Sequence, residues 1–249
     1  MIVEYHRPET LETALDLLAR PGVVTVPLGG GTILNQPSPD PIAVVDLQAL
    51  GLNNLEEKGK KLQLGATVTL QQLLDFEIVP ALKAAIRHQA TYNLRQVATV
   101  AGTLVATDGR SPFATALLAL GAELTLLPGD ETQSLGDFLP LRASRPINRL
   151  ITQVTIPTGV KFAYEYVART PADLPIVCVA VAQWPSGRTR LALGGYGAAP
   201  LLAMDGPEAE GIEQAARNAY HEAGDTWASA EYRRAMAATL AKRCLQQFD

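Results

Sequence analysis

Pro27-Leu28-Gly29-Gly30-Gly31-Thr32-Ile33-Leu34 closes the short β-branched stretch that begins at Val23. Val23 to Leu28 reads as a buried strand, and the strand runs into a loop of bare backbone. Glycines leave amide N–H groups with no side chain in the way, and such groups can cradle a phosphate. A second stretch, Asn93-Leu94-Arg95-Gln96-Val97-Ala98-Thr99-Val100-Ala101-Gly102-Thr103-Leu104, repeats the plan. There Thr99 and Thr103 offer hydroxyls and Gly102 a bare backbone site. Two phosphate-sized cradles about seventy residues apart suit a pyrophosphate held from both sides. Taken singly each loop is a weak signal, because glycine-rich turns after strands are mostly only turns. The first is no Rossmann fingerprint: counted from Gly29 and Gly31, the third glycine of G-x-G-x-x-G falls on Leu34. No Walker A lysine follows either loop.

Outward from these loops, the pattern alternates. Thr10 is an N-cap before Leu11, Ala14, Leu15 and Leu18, an amphipathic helix that Pro21-Gly22 ends. Ile42 to Val45 reads as a second strand, giving a parallel βαβ start. Asn53 to Lys61 is polar and turn-like. Leu62 to Leu64 alternates as a strand does. Thr69-Leu70-Gln71-Gln72 is a capping box. Pro80 opens the helix that leads to the second loop, and Ser111-Pro112 caps another that ends at Gly121. Glu123 to Leu127 and Leu150 to Ile156 are strands.

Around Pro157-Thr158-Gly159 the pattern changes. Phe162 to Ala168, Ile176 to Trp184 and Thr189 to Leu193 read as three antiparallel strands, the last two joined by the turn Pro185 to Arg188. Glu208 to Ala223 and Ser229 to Gln247 read as helices lying on one face of that sheet.

Composition narrows the function classes. The 249 residues are 47% hydrophobic and 18% charged, with a net charge of −4. That length allows two domains, and the acidic balance argues against a nucleic-acid partner. No apolar run is long enough to span a bilayer, and Met1 to Arg7 has no signal-peptide core, so a cytoplasmic protein is expected. Cys178 and Cys244 form no disulfide, zinc or iron–sulfur set and read as core thiols. His6, His88 and His221 are scattered. With no catalytic triad, no paired carboxylates and no metal set, chemistry on this chain would come from a cofactor.

These blocks, in this order, resemble the FAD-binding medium subunit of molybdenum hydroxylases, the xanthine dehydrogenase and aerobic carbon monoxide dehydrogenase type. The resemblance runs nearly end to end. Tyr5 to Leu18 is similar to the family's opening strand and helix, and Gly30-Gly31-Thr32 to its first FAD loop. Val45-Asp46-Leu47 and Leu64 to Thr69 match further blocks. Thr99 to Leu104 sits on the family's Thr-Ile-Gly-Gly-Asn loop, and Ala116 to Ala122 follows. Ala168 to Asp173, Leu193 to Gly197 and Ser229 to Arg234 are similar to its C-terminal domain.

The resemblance implies an α+β chain with a PCMH-type FAD-binding fold. Residues 1–157 would be the FAD domain, in two α/β subdomains of about 1–55 and 56–157. Residues 160–249 would be a small C-terminal domain of the CO dehydrogenase flavoprotein type, with its three-stranded sheet and helices. The implied function is electron transfer from [2Fe–2S] clusters to an external acceptor. FAD would be the chain's own cofactor. Molybdopterin and the clusters would lie on a large and a small partner subunit. Leu28, Gly29, Gly30, Gly31, Thr32, Ile33 and Leu34 would wrap the pyrophosphate. Thr99, Ala101, Gly102 and Thr103 would hold its second side, Asp108 would bond a ribose hydroxyl or flavin amide from a shifted position, and Ile151 would lie against the flavin. Tyr164 or Tyr166 would cover the ring. Asp at Gly30 or Gly31 is expected to abolish flavin binding and spare the fold.

The chain departs from the family at several places. Ala101-Gly102 replaces two glycines, so a methyl crowds the backbone or demands a positive φ there. Thr103 replaces an asparagine, and Pro112 stands where the family has a cofactor-contacting aspartate. No lysine stands near Glu165-Tyr166. A second reading follows: a degenerate member with weak or lost FAD binding, acting as a structural or assembly subunit. The fold persists in either case.

Overall fold

The computed structural model describes residues 1–34, 40–142 and 149–248. Its contacts divide the chain into two units, each assembled from three separate segments. Unit 1 comprises Met1–Phe76, Tyr92–Ala106 and Glu123–Thr155; unit 2 comprises Glu77–Thr91, Thr107–Ala122 and everything from Ile156 onward. The boundary expected near 157–160 divides the sequence linearly; the contacts divide the chain by another rule.

Unit 1 holds two sheets. In the first, β1 (Ile2–His6), β3 (Ile42–Asp46) and β2 (Val24–Leu28) lie parallel in that order. Helix α1 (Leu11–Ala19) makes the crossover, capped by Thr10 Oγ1, which accepts from the Thr13 amide at 3.2 Å. Its Ala14 and Leu18 pack with Val45, Leu47 and Leu150. The central strand is β3, and its Ala43, Val44 and Val45 are buried. Strand β2 was expected to be buried but is an edge; only its Thr25 is fully covered. An apolar β-branched run does not say which strand takes the middle.

The second sheet runs β4 (Leu55–Lys58), β5 (Lys61–Gly65), β8 (Leu150–Pro157), β6 (Glu123–Leu127), β7 (Glu131–Ser134). Strand β4 corrects the turn-like reading of 53–61. Leu55-Glu56-Glu57-Lys58 pairs antiparallel with β5 as an outer strand, where charged side chains face water and guard the edge. Helix α2 (Leu70–Asp75) carries the full capping box, Thr69 and Gln72 each meeting the other's backbone. Short helices α4 (Tyr92–Arg95) and α5 (Val100–Val105) follow, and α7 (Leu135–Leu141) lies after β7.

Unit 2 is built on an antiparallel sheet of four strands, not three: β12 (Leu201–Gly206), β11 (Thr189–Gly194), β10 (Val177–Gln183), β9 (Lys161–Val167). Leu201-Leu202-Ala203 has no period-two alternation, so its pattern hides an edge strand. Nor do helices cover one face alone. Val177, Val179 and Val181 of β10 pack with α8 (Ile212–Ala219) and α9 (Ala230–Gln246). Cys178 lies on the opposite face, its Sγ 3.6 Å from Thr115 Oγ1 of α6 (Pro112–Ala119). Helix α3 (Pro80–Gln89) packs on β9 beside α6. Every β10 residue from Val177 to Ala182 is therefore buried, as in sheets covered on both sides. Gly194 permits the close approach of α6; a Cβ there would lie 2.3 Å from Thr115 Oγ1. Burial pushes the Cys178 thiol up to about 12, so it is an inert core group as expected. Arg233, fully buried on α9, spans the loops: it donates to the carbonyls of Ile176, Ala223 and Ala228 and to the Asp225 carboxylate.

Candidate functional site

The glycine loop leaves β2 and meets the second stretch directly. A Cβ on Gly29 would lie 2.6 Å from Thr99 Oγ1, and one on Gly30 only 1.7 Å from the Val97 carbonyl oxygen. Only glycine allows the two chains this close. Gly31 differs: its φ is +68°, and a Cβ would meet only Leu28 Cδ1, at 3.4 Å. The two stretches that the sequence sets far apart thus form one structure in unit 1.

They line a cavity of about 380 Å³. Gly29, Gly30, Gly31, Thr32, Ile33 and Leu34 form one wall, and Thr99, Ala101, Gly102 and Val105 another. Val26, Leu47, Leu126, Phe138 and Ile151 make it apolar, while Arg142 and Arg149 supply cationic groups. Ile151, expected against the flavin, is among the lining residues. Leu28, Thr103 and Asp108 do not line the cavity, and Asp108 belongs to unit 2, where its carboxylate accepts from the Arg110 amide at 2.8 Å. Tyr164 and Tyr166 also belong to unit 2; both rings sit against His88.

The donor sets of the two loops are unequal. No amide from Gly29 to Leu34 donates to an acceptor among the described residues. The second stretch is not a loop at Thr99 but the start of α5, and from Val100 onward its amides are engaged. The Val100 amide donates to Val68 O at 2.8 Å, that of Ala101 to Ala66 O at 3.3 Å, and that of Gly102 to Thr99 Oγ1 at 3.2 Å. The Thr103 hydroxyl donates to Thr99 O at 2.8 Å. Helical geometry also removes one of the two conflicts expected at Ala101, the positive φ. Its φ is not positive, since Asp130 alone among described non-glycine residues has a positive φ.

A diphosphate needs donors and cationic neighbours, and a ring system needs apolar walls. The first loop, the two arginines and the apolar lining provide these, so the residues present fit FAD. The volume lies in the range of ligand pockets and takes part of an extended dinucleotide. Sequence reasoning missed Arg142 and Arg149. Arg142 donates to Leu139 O, and Arg149 pairs with Glu131. Their only sequence signal is an arginine-bearing stretch just before the strand that carries Ile151.

Three comparisons bear on this geometry. The family profile described as "FAD binding domain in molybdopterin dehydrogenase" matches residues 1–159. The uncharacterized protein YgfM of Escherichia coli K12 is 32% identical over 248 residues, 96% of this chain and 94% of that one. The carbon monoxide dehydrogenase medium chain of Afipia carboxidovorans is 27% identical, covering 98% and 96%. Among solved structures, reconstituted CO dehydrogenase from Oligotropha carboxidovorans superposes with a TM-score of 0.79 at 25% identity, over 98% of this chain and 96% of that one. The fold is that of these medium chains, and among the described residues no helix is long and apolar enough to cross a membrane.

Proposed function

The chain belongs to the family of FAD-binding domains of molybdopterin dehydrogenases, and we propose that it is the flavoprotein subunit of a cytoplasmic molybdenum hydroxylase of the xanthine dehydrogenase or CO dehydrogenase type. It takes electrons from [2Fe–2S] clusters on a small partner subunit and passes them to an external acceptor; a large partner carries molybdopterin and oxidises the substrate. The supporting observation is the run of six consecutive residues, Gly29 to Leu34, that lines an apolar cavity and whose amides have no acceptor among the described residues. When bound, FAD supplies the ability to take electrons singly and release them singly or in pairs. The chain's own residues bind and shield it. The loop amides hold the diphosphate, the Arg142 and Arg149 guanidinium groups offset its charge, and Leu47, Leu126, Phe138 and Ile151 exclude water from the ring.

One observation favours the second reading, weak or lost binding: the amides of Val100, Ala101 and Gly102 are engaged within the protein, so among the described residues the second expected cradle offers fewer donors than the first. The absorbance spectrum of the purified chain, taken before and after incubation with FAD and desalting, divides the two. Retained flavin bands are expected. A chain colourless both alone and in its co-purified complex overturns electron transfer in favour of a structural subunit. Colour in the complex alone means that partners complete the site.

A further inference from the structure

Gln48 is exposed and lies outside the cavity wall, yet it holds the loop that forms it. Its Nε2 donates to the Gly29 carbonyl oxygen at 3.2 Å. Its own amide donates to Asp46 Oδ1 at 2.9 Å. Asp46 is buried at the end of β3, and its Oδ2 accepts from the Tyr5 hydroxyl, with Arg7 Nε 3.9 Å away. The Gly29 carbonyl and the Gly30 amide belong to one planar trans peptide, so they point in opposite directions. A bond that fixes the first fixes the second. Between two glycines that peptide has unusual rotational freedom, which makes an anchor consequential. Resting on the reading of the cavity given above, we propose that Gln48 is a positioning residue for the diphosphate. It sets the Gly29–Gly30 peptide so that the Gly30 N–H meets the bound phosphate, and Asp46 and Tyr5 hold Gln48 in turn.

The test uses the full-length chain and three probes: FAD, ADP-ribose, which keeps the pyrophosphate, and riboflavin, which lacks it. Gln48→Ala should weaken FAD and ADP-ribose by the same factor, about three- to tenfold, the worth of one hydrogen bond, and leave riboflavin unchanged. Gln48→Lys restores a donor and should restore binding. Gln48→Glu carries no donor at pH 8 but regains one when protonated, so its FAD affinity should rise as pH falls through the carboxyl range while the wild type stays flat. Equal FAD affinity in wild type and Gln48→Ala overturns the positioning role and leaves the cavity reading intact. A wild-type chain that binds neither FAD nor ADP-ribose overturns the cavity reading itself. In that case the ligand-free chain still decides the anchor: the Gly30 amide order parameter must fall in Gln48→Ala, and an unchanged value overturns it.

Discussion

The three glycines after β2 look alike in sequence and differ in what they do. At Gly30 a side chain meets the Val97 carbonyl at 1.7 Å, backbone against backbone, with nothing flexible to yield. Asp at that position was expected to spare the fold; the structure reverses this. Gly30→Ala should cost about 3 kcal/mol through forced overpacking, read as a lower urea midpoint. Gly31 has open space and φ of +68°, a conformation that Asn and Asp tolerate best among residues with a side chain. Gly31→Asp should therefore fold at a cost of about 1 kcal/mol and lose flavin, because its carboxylate faces the diphosphate. Unchanged flavin content in soluble Gly31→Asp would remove the loop from the site.

Helix α3 and strand β9 are joined by a histidine that the sequence left unplaced. His88 Nε2 lies 2.7 Å from the Asp173 carbonyl, which only accepts, so Nε2 carries the proton in the neutral ring. Nδ1, 3.0 Å from the Tyr164 hydroxyl, then accepts from it. Burial pulls the His88 pKa below 6.5, although the Asp173 carbonyl partly opposes the shift. The folded state thus prefers the neutral ring. This stabilisation is complete above pH 6.5, where the unfolded ring is also neutral, and fades as pH falls below 6.5 toward the folded value. Urea midpoints measured from pH 7.5 to 5 should decline over that window. His88→Gln keeps one donor and one acceptor without the titration, and should flatten the decline. A decline of the same size in the variant would place the titrating group elsewhere.

At the scale of the molecule, the chain passes repeatedly between two units, and this decides which pieces can stand alone. Helices α3 and α6 come before residue 123, yet they pack on β9, β10 and β11 of the C-terminal sheet. Their Leu82, Ile86, Phe113 and Leu117 are fully buried or nearly so. A chain ended after Gly159 matches the span of the family profile but leaves those side chains without their sheet. It should bind a hydrophobic dye and unfold without a sharp transition, whereas the full chain unfolds cooperatively. A monomeric 1–159 fragment with a steep urea transition would show that α3 and α6 find other cover.

The sequence by itself determined what local chemistry encodes. Caps at Thr10, Thr69 and Ser111, the proline starts at Pro80 and Pro112 and the alternation of Leu62 to Leu64 hold, because each depends on residues within one turn or one strand. The order of its motifs also carried the family. Tertiary structure alone decided that β10 is covered on both faces, that β2 is an edge, and that Gly30 is reserved for Val97. It also decided that the first-loop amides meet no acceptor among the described residues while α5 uses its own. Each of these depends on which distant segment arrives at a surface. A side-chain pattern records that a face is apolar or a backbone bare, and does not record what comes to meet it.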